Sequence, residues 1–145
     1  MTTTDPAPAP APVIPQSLIA RVQGILLTPA AEWDRIEPEA ATVQGLFIGY
    51  AAILAAIPAI ATLLGYLLFN RLFLIVGVIA AVASYAINLA VVFLVGFVID
   101  ALAPSFGAQK NLVQAMKLSV YSFTAVWVAG VVGFIPVLEI GRAHV

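Results

Sequence analysis

The side chains in this sequence that could do chemistry are few. Asp100 closes a long apolar run and is followed by Lys110 and Lys117. A carboxylate at the C-terminal end of a helix opposes the helix dipole unless a cation compensates it. The spacing therefore points to an ion pair between Asp100 and one of these lysines at a membrane edge. The alternative is an acid that handles a proton or a substrate, because ionisable groups in membrane segments are often functional. Asn88 lies deep in the same run, with Tyr85 three residues before it on the same side of a helix. Leaving that amide unpaired in hydrocarbon is costly, so it must face protein. With Tyr121, Ser122 and Thr124, these groups either line a small polar pathway or hydrogen-bond from helix to helix. Glu32, Asp34, Glu37 and Glu39 are close in sequence and read as a solvated acidic face.

The rest of the inventory excludes more than it suggests. There is no cysteine, and the single histidine is His144. No Gly-rich phosphate loop, HExxH, GxSxG or pair of carboxylates within the apolar runs occurs, so no catalytic, metal or cofactor site is expected and the chain does not read as an enzyme. The net charge of -1 comes without a basic patch, which argues against nucleic acid as a partner. Apolar residues make up 63% and charged residues 9%, against roughly 45–50% and about 25% in soluble domains. That composition belongs to a membrane protein, and the lipid bilayer is the first partner implied.

The elements that must hold these groups are helical, and the fold expected is an all-α transmembrane bundle. Residues 1–16, with their Ala-Pro alternation, read as a disordered, solvated tail. Leu18, Ile19, Val22, Ile25 and Leu26 then form one face of a helix, with Arg21 and Gln23 off the stripe. Thr28-Pro29 reads as an N-cap followed by proline at the first helical position, opening a second short helix that Pro38 stops. Residues 17–38 are thus two amphipathic helices on the membrane surface or against the bundle. Trp33, just ahead of the first span, suits the headgroup zone as an interfacial anchor.

Residues 41–69 and 72–99 carry no charge. Either run reaches about 42 Å as a helix, longer than a hydrocarbon core of about 30 Å, so tilt or a kink is expected. Pro58 is the natural kink site. The spans are placed at about 43–69 and 72–99, and only Asn70 and Arg71 separate the two runs, which makes them a tight antiparallel hairpin. A third helix is expected over 112–132, with the start of a fourth at 134–138. Helices in lipid associate through close-packed small residues, and Gly45 with Gly49 supplies such a step. It serves packing within one chain or, alternatively, a homo-oligomer face or contact with other membrane proteins. Arg21, Arg35, Lys110 and Lys117 lie on one side and Arg71 on the other, which predicts a cytoplasmic N-terminus in an inner (plasma) membrane.

The final residues break the pattern. Ile140–Val145 back-translate to the start of a widely used short-read sequencing adapter, with Glu139 as a hybrid codon. Residues 139–145 are therefore expected to be an artefact of a truncated reading frame.

Several stretches together resemble one family: Leu18 to Trp33, ending in TPAAEW; Gly45-Leu-Phe-Ile-Gly-Tyr50; Ile99-Asp-Ala-Leu-Ala-Pro-Ser-Phe-Gly107; Lys110-Asn111; and Tyr121-Ser122. They are similar to the bacterial branch of the Yip-domain family, integral membrane proteins related to the eukaryotic Rab-interacting Yip proteins. The resemblance covers about residues 17–138 and implies a five-span bundle with a cytoplasmic N-terminal region, of which three spans are present here. Ala125 stands where the family often has proline, which puts a kink expected there in doubt. Eukaryotic relatives act in vesicle trafficking and bind small GTPases, but the resemblance carries no activity to the bacterial branch. It leaves a membrane scaffold or adaptor as the expected role, with a small transporter or channel subunit using a polar path near Asn88 as the alternative.

Overall fold

The computed structural model describes residues 17–69 and 71–131. All elements among them are helical. Helix α1 (Leu18–Leu27) starts at Ser17, whose hydroxyl accepts from the Ala20 amide at 3.2 Å. Helix α2 (Pro29–Ile36) follows with proline in its first turn. Thr28 does not cap it as expected. Its hydroxyl donates backward to the Gly24 carbonyl at 3.3 Å, closing α1 instead, and Pro29 leaves one N–H fewer to be capped.

The first span begins as α3 (Val43–Leu46), capped by the Thr42 hydroxyl, which accepts from the Gly45 amide at 3.0 Å. It widens into a π-helical turn over Phe47–Ala51 and continues as α4 (Ala52–Phe69). Helix α4 runs through Pro58, and the departure from α geometry lies upstream in the π turn. A 3-10 turn (Arg71–Phe73) leads into α5 (Leu74–Leu102), and a second (Ala103–Phe106) extends it. Gly107, at φ 75°, ends that turn in the left-handed region, where only glycine is free of strain. Asp100 therefore lies in the last turn of α5, two residues before Leu102, with the 3-10 turn following it. Helix α6 (Leu112–Ser122) starts at Asn111, whose side chain accepts from the Gln114 amide at 3.2 Å. The third span is not one continuous α-helix: it breaks at Phe123 and resumes over 124–131. The break comes two residues before Ala125, without a proline.

The packing partners give the topology. Phe47 meets Phe93, Tyr85 reaches Ala52, and Gly77 faces Tyr66, so the first two spans are antiparallel. Ser119 bonds Val92 and Met116 faces Gly96, so the second and third are antiparallel as well. Tyr50 bonds Thr124 and Pro58 faces Gly130, which makes the first and third parallel. The result is an up-down-up bundle with three helices long and apolar enough to cross a membrane: Val43–Leu68, Leu74–Phe106 and Leu112–Val131. Its outward faces, including Ile75, Ile79, Val82, Ile87 and Leu94, are exposed and apolar. Such a surface suits lipid, not water.

The buried core gathers at one end, around Ile36, Leu54, Met116, Val120 and Trp127, where α2 meets the bundle. Three glycines permit the close approaches. A methyl group at Gly96 would run into Met116, at Gly77 into Tyr66, and at Gly130 into Pro58 at 3.2 Å. Among the described residues, the expected step at Gly45 and Gly49 packs against no helix. Both are exposed, and nothing lies within 4 Å of where a Cβ at Gly49 would sit. The expected tail at 1–16, the fourth span at 134–138 and the segment 139–145 lie outside the described residues.

Candidate functional site

The polar chemistry of this chain collects where α1 and α2 sit on the end of the bundle. Arg21 is the only charged residue of α1, and it is 5% exposed. Its guanidinium donates to the Glu32 carboxylate at 2.8 Å and to that of Glu39, and lies over the Tyr121 ring at 5.6 Å. Glu32 is 2% exposed and also takes a longer contact from Arg35 at 3.5 Å. Taking such charges out of water costs several kcal/mol per ion, so the cluster holds only because each group meets an opposite charge in good geometry. The solvated acidic face expected over Glu32–Glu39 is thus wrong for two of its members. Asp34 and Glu37 are exposed, whereas Glu32 is buried and Glu39 half-buried, both drawn in by Arg21. Gly24 makes room for this, since a Cβ there would collide with the Glu32 carboxylate.

A second joint comes from the third span. The C-terminal carbonyls of a helix lack intrahelical partners and carry partial negative charge. Lys117, 2% exposed, donates to the carbonyls of Ile36 at 2.9 Å, Glu37 at 3.2 Å and Glu39. Gln114 adds a bond to the Glu37 carbonyl at 2.9 Å. One face of α6 therefore caps the C-terminal end of α2.

Aromatic rings fill the space between the two joints. Trp33 meets Tyr121 edge to face at 6.3 Å, and Tyr121 meets Tyr50 at 4.9 Å. The Tyr50 hydroxyl bonds that of Thr124 at 2.8 Å in the core. Trp33 is half-buried against protein, so its ring packs on the third span.

The other residues singled out from the sequence stay apart from this cluster. Asp100 pairs with neither lysine: Lys117 spends its ammonium on carbonyls, Lys110 is exposed, and Asp100 Oδ1 is buried without a hydrogen bond. Asn88 is half-buried and donates to the Ser84 carbonyl of its own helix at 2.8 Å. Tyr85 donates to the Ala52 carbonyl at 3.1 Å, at the exit of the π turn, where the ladder shifts register. Ser119 bonds the Val92 carbonyl at 2.6 Å. Ser122 is exposed. Among the described residues, these hydroxyls and amides bond at separate joints of the bundle. Among the described residues, no group of three His, Cys, Asp or Glu is placed to hold a metal.

Sequence reasoning missed Arg21, Glu32 and Glu39. The signal available was a lone charge in an otherwise uncharged apolar helix.

The chain matches the Yip1 domain over residues 24–143. It belongs to that family. No curated protein and no solved structure was found to match it. The Yip1 match takes in Glu32, Glu39, Lys117 and Tyr121, with Arg21 just ahead of it. Together with the three apolar helices, it makes the chain a membrane protein of the Yip1 domain family.

Proposed function

We propose that this protein is a non-enzymatic membrane scaffold in which α1 and α2 form a rigid cap for binding partner proteins, held on the cytoplasmic end of the bundle. The observation that carries the reading is where the polar groups are used. Arg21, Glu32, Glu39 and Lys117 join the cap to the third span, while the polar groups of the spans bond locally within or between neighbouring helices. A transport path needs a connected row of polar groups; a platform needs rigidity at one end. The cytoplasmic placement rests on Arg21, Arg35, Lys110 and Lys117 at the cap end against Arg71 at the other. Asp34 on α2 and Glu37 just after its end are exposed and offer the contact surface.

The test uses the full chain in two assays. A photo-crosslinking residue in place of Asp34 is expected to give one discrete protein adduct in intact membranes, and reconstituted liposomes are expected to show no solute flux. Flux abolished by Asn88→Leu would instead establish the transporter reading and overturn this one.

A further inference from the structure

From its joints at the bundle end, the cap extends along the side of the spans. Gln114 and Lys117, near the start of α6, bond the Glu37 carbonyl, whereas Tyr121, one turn further along α6, meets Trp33, one turn earlier in the chain. Helix α2 thus runs antiparallel to α6. At about 1.5 Å per residue, its first residue, Pro29, lies up to about 12 Å further along the bundle than Glu37. The chain turns at Thr28, and α1 lies at that level. Ile19 and Val22 share a groove of about 240 Å³ with Ile53 and Ile57 of the first span and Val128 of the third. Ile53 and Val128 stand 10 and 16 residues beyond the starts of their spans at Val43 and Leu112. Those steps are about 15 and 24 Å along helices that cross a hydrocarbon core of about 30 Å.

The charges are sorted in the same direction. Between Ser17 and Ala31 the one charged residue is Arg21, and it is turned inward onto Glu32 and Tyr121. What α1 and the turn show outward is uncharged: Ile19, Gln23, Leu26, Leu27 and Pro29. Asp34 and Arg35, the exposed charges of α2, lie in its second half, and Glu37 follows them. A helix lying on a membrane surface keeps its charges in water. Helix α1 has the opposite sense, that of ionisable groups within a bilayer, which face protein and pair there. The backbone of the turn also suits hydrocarbon, where polar groups must be satisfied internally. The Thr28 amide and hydroxyl both donate to the Gly24 carbonyl, at 2.9 and 3.3 Å, and the Thr28 carbonyl accepts from the Glu32 amide at 3.1 Å.

We propose that α1 and its turn into α2 are immersed in the bilayer, with Ile19, Leu26 and Leu27 against lipid acyl chains, while Asp34 and Glu37 stay in water. With 10 residues, α1 is too short to cross. It enters one leaflet beside the first and third spans.

The test is depth, and the absence of native cysteine allows single labels in the full chain. Nitroxides are attached to Ile19→Cys, Leu27→Cys, Asp34→Cys and, as a reference facing outward from α5, Ile87→Cys. All four positions are exposed, so the label displaces no packed side chain. Relaxation by oxygen, which enters hydrocarbon, and by a water-soluble nickel chelate is measured in phosphatidylcholine nanodiscs, where both membrane faces meet solvent. Labels at 19 and 27 are expected to lose relaxation by nickel and to keep that by oxygen, as at 87, whereas the label at 34 relaxes with nickel. Nickel relaxation at 19 or 27 matching that at 34 would overturn the proposal. Shielding of either label from both reagents would overturn it too, since a protein segment rather than lipid would then cover α1.

Discussion

Removing Arg21 should release the cap from the bundle while leaving the spans in place. In Arg21→Met the stem of the side chain is kept and the charge is lost. Glu39 retains 23% of its side-chain exposure and can turn to water, but Glu32 keeps only 2%. Among the described residues, the other cation in contact with it is Arg35 at 3.5 Å, itself 65% exposed, and an ion pair with so open a partner is worth at most about 1 kcal/mol. Breaking a buried pair by deleting one partner costs about 3–5 kcal/mol, and the residual Arg35 contact puts this case near the lower end. A cost of about 3 kcal/mol raises the population of the undocked cap roughly a hundredfold. Backbone hydrogen exchange in micelles should then accelerate by that factor in α1 and α2 and remain unchanged in α5. The double variant Arg21→Met/Glu32→Met removes both buried charges, and apolar replacement of a buried pair is often neutral or stabilising. It should recover most of the lost protection. Unaltered exchange in the single variant, or equal acceleration in the double, would show that the ion pair does not hold the cap.

Other substitutions test the joints of the bundle separately. Thr124→Val strands the buried Tyr50 hydroxyl, so the thermal midpoint in detergent should fall by the equivalent of about 1–3 kcal/mol; adding Tyr50→Phe should restore much of it. Gly96→Leu drives a side chain into Met116 and should cost about 1–3 kcal/mol in the same assay by forcing α5 away from α6. Asn88→Leu should change stability by less than about 1 kcal/mol, because the amide bonds only its own helix. Gly49→Ala should hold or raise the midpoint, since glycine in a helix costs about 1 kcal/mol and, among the described residues, nothing lies within 4 Å of where a Cβ would sit.

The spans were legible because they depend on local properties. Length, apolarity and the absence of charge over 41–69 and 72–99 place two of them, and the short separation forces the hairpin. The paired surface helices were legible from the apolar stripe at Leu18–Leu26 and from Pro29 and Pro38. What the sequence concealed depends on contacts between distant segments. Arg21 looked solvent-facing because a helical stripe counts only apolar residues as buried; its partners lie 11 and 18 residues away. Lys117 looked like a counter-ion for Asp100, but the carbonyls it caps belong to the end of α2, about eighty residues earlier in the chain. Gly45 and Gly49 carried the familiar spacing of small residues, whereas the close approaches use Gly77, Gly96 and Gly130, each opposite one bulky side chain on a different helix. The π turn at Phe47–Ala51 has no composition that marks it. It shows only where Tyr50 meets Thr124 and Tyr85 reaches the Ala52 carbonyl.

Docking of α2 on the third span is the claim on which the scaffold reading depends, and the chain's lack of cysteine makes it directly measurable. Cysteines placed at Glu37 and Gln114, whose side-chain amide meets the Glu37 carbonyl at 2.9 Å, can be treated in intact membranes with a short bifunctional thiol reagent. A docked cap predicts nearly complete crosslinking within one chain, and the same yield in Asn88→Leu. Two cysteines that each react with a monofunctional reagent yet fail to join would contradict it.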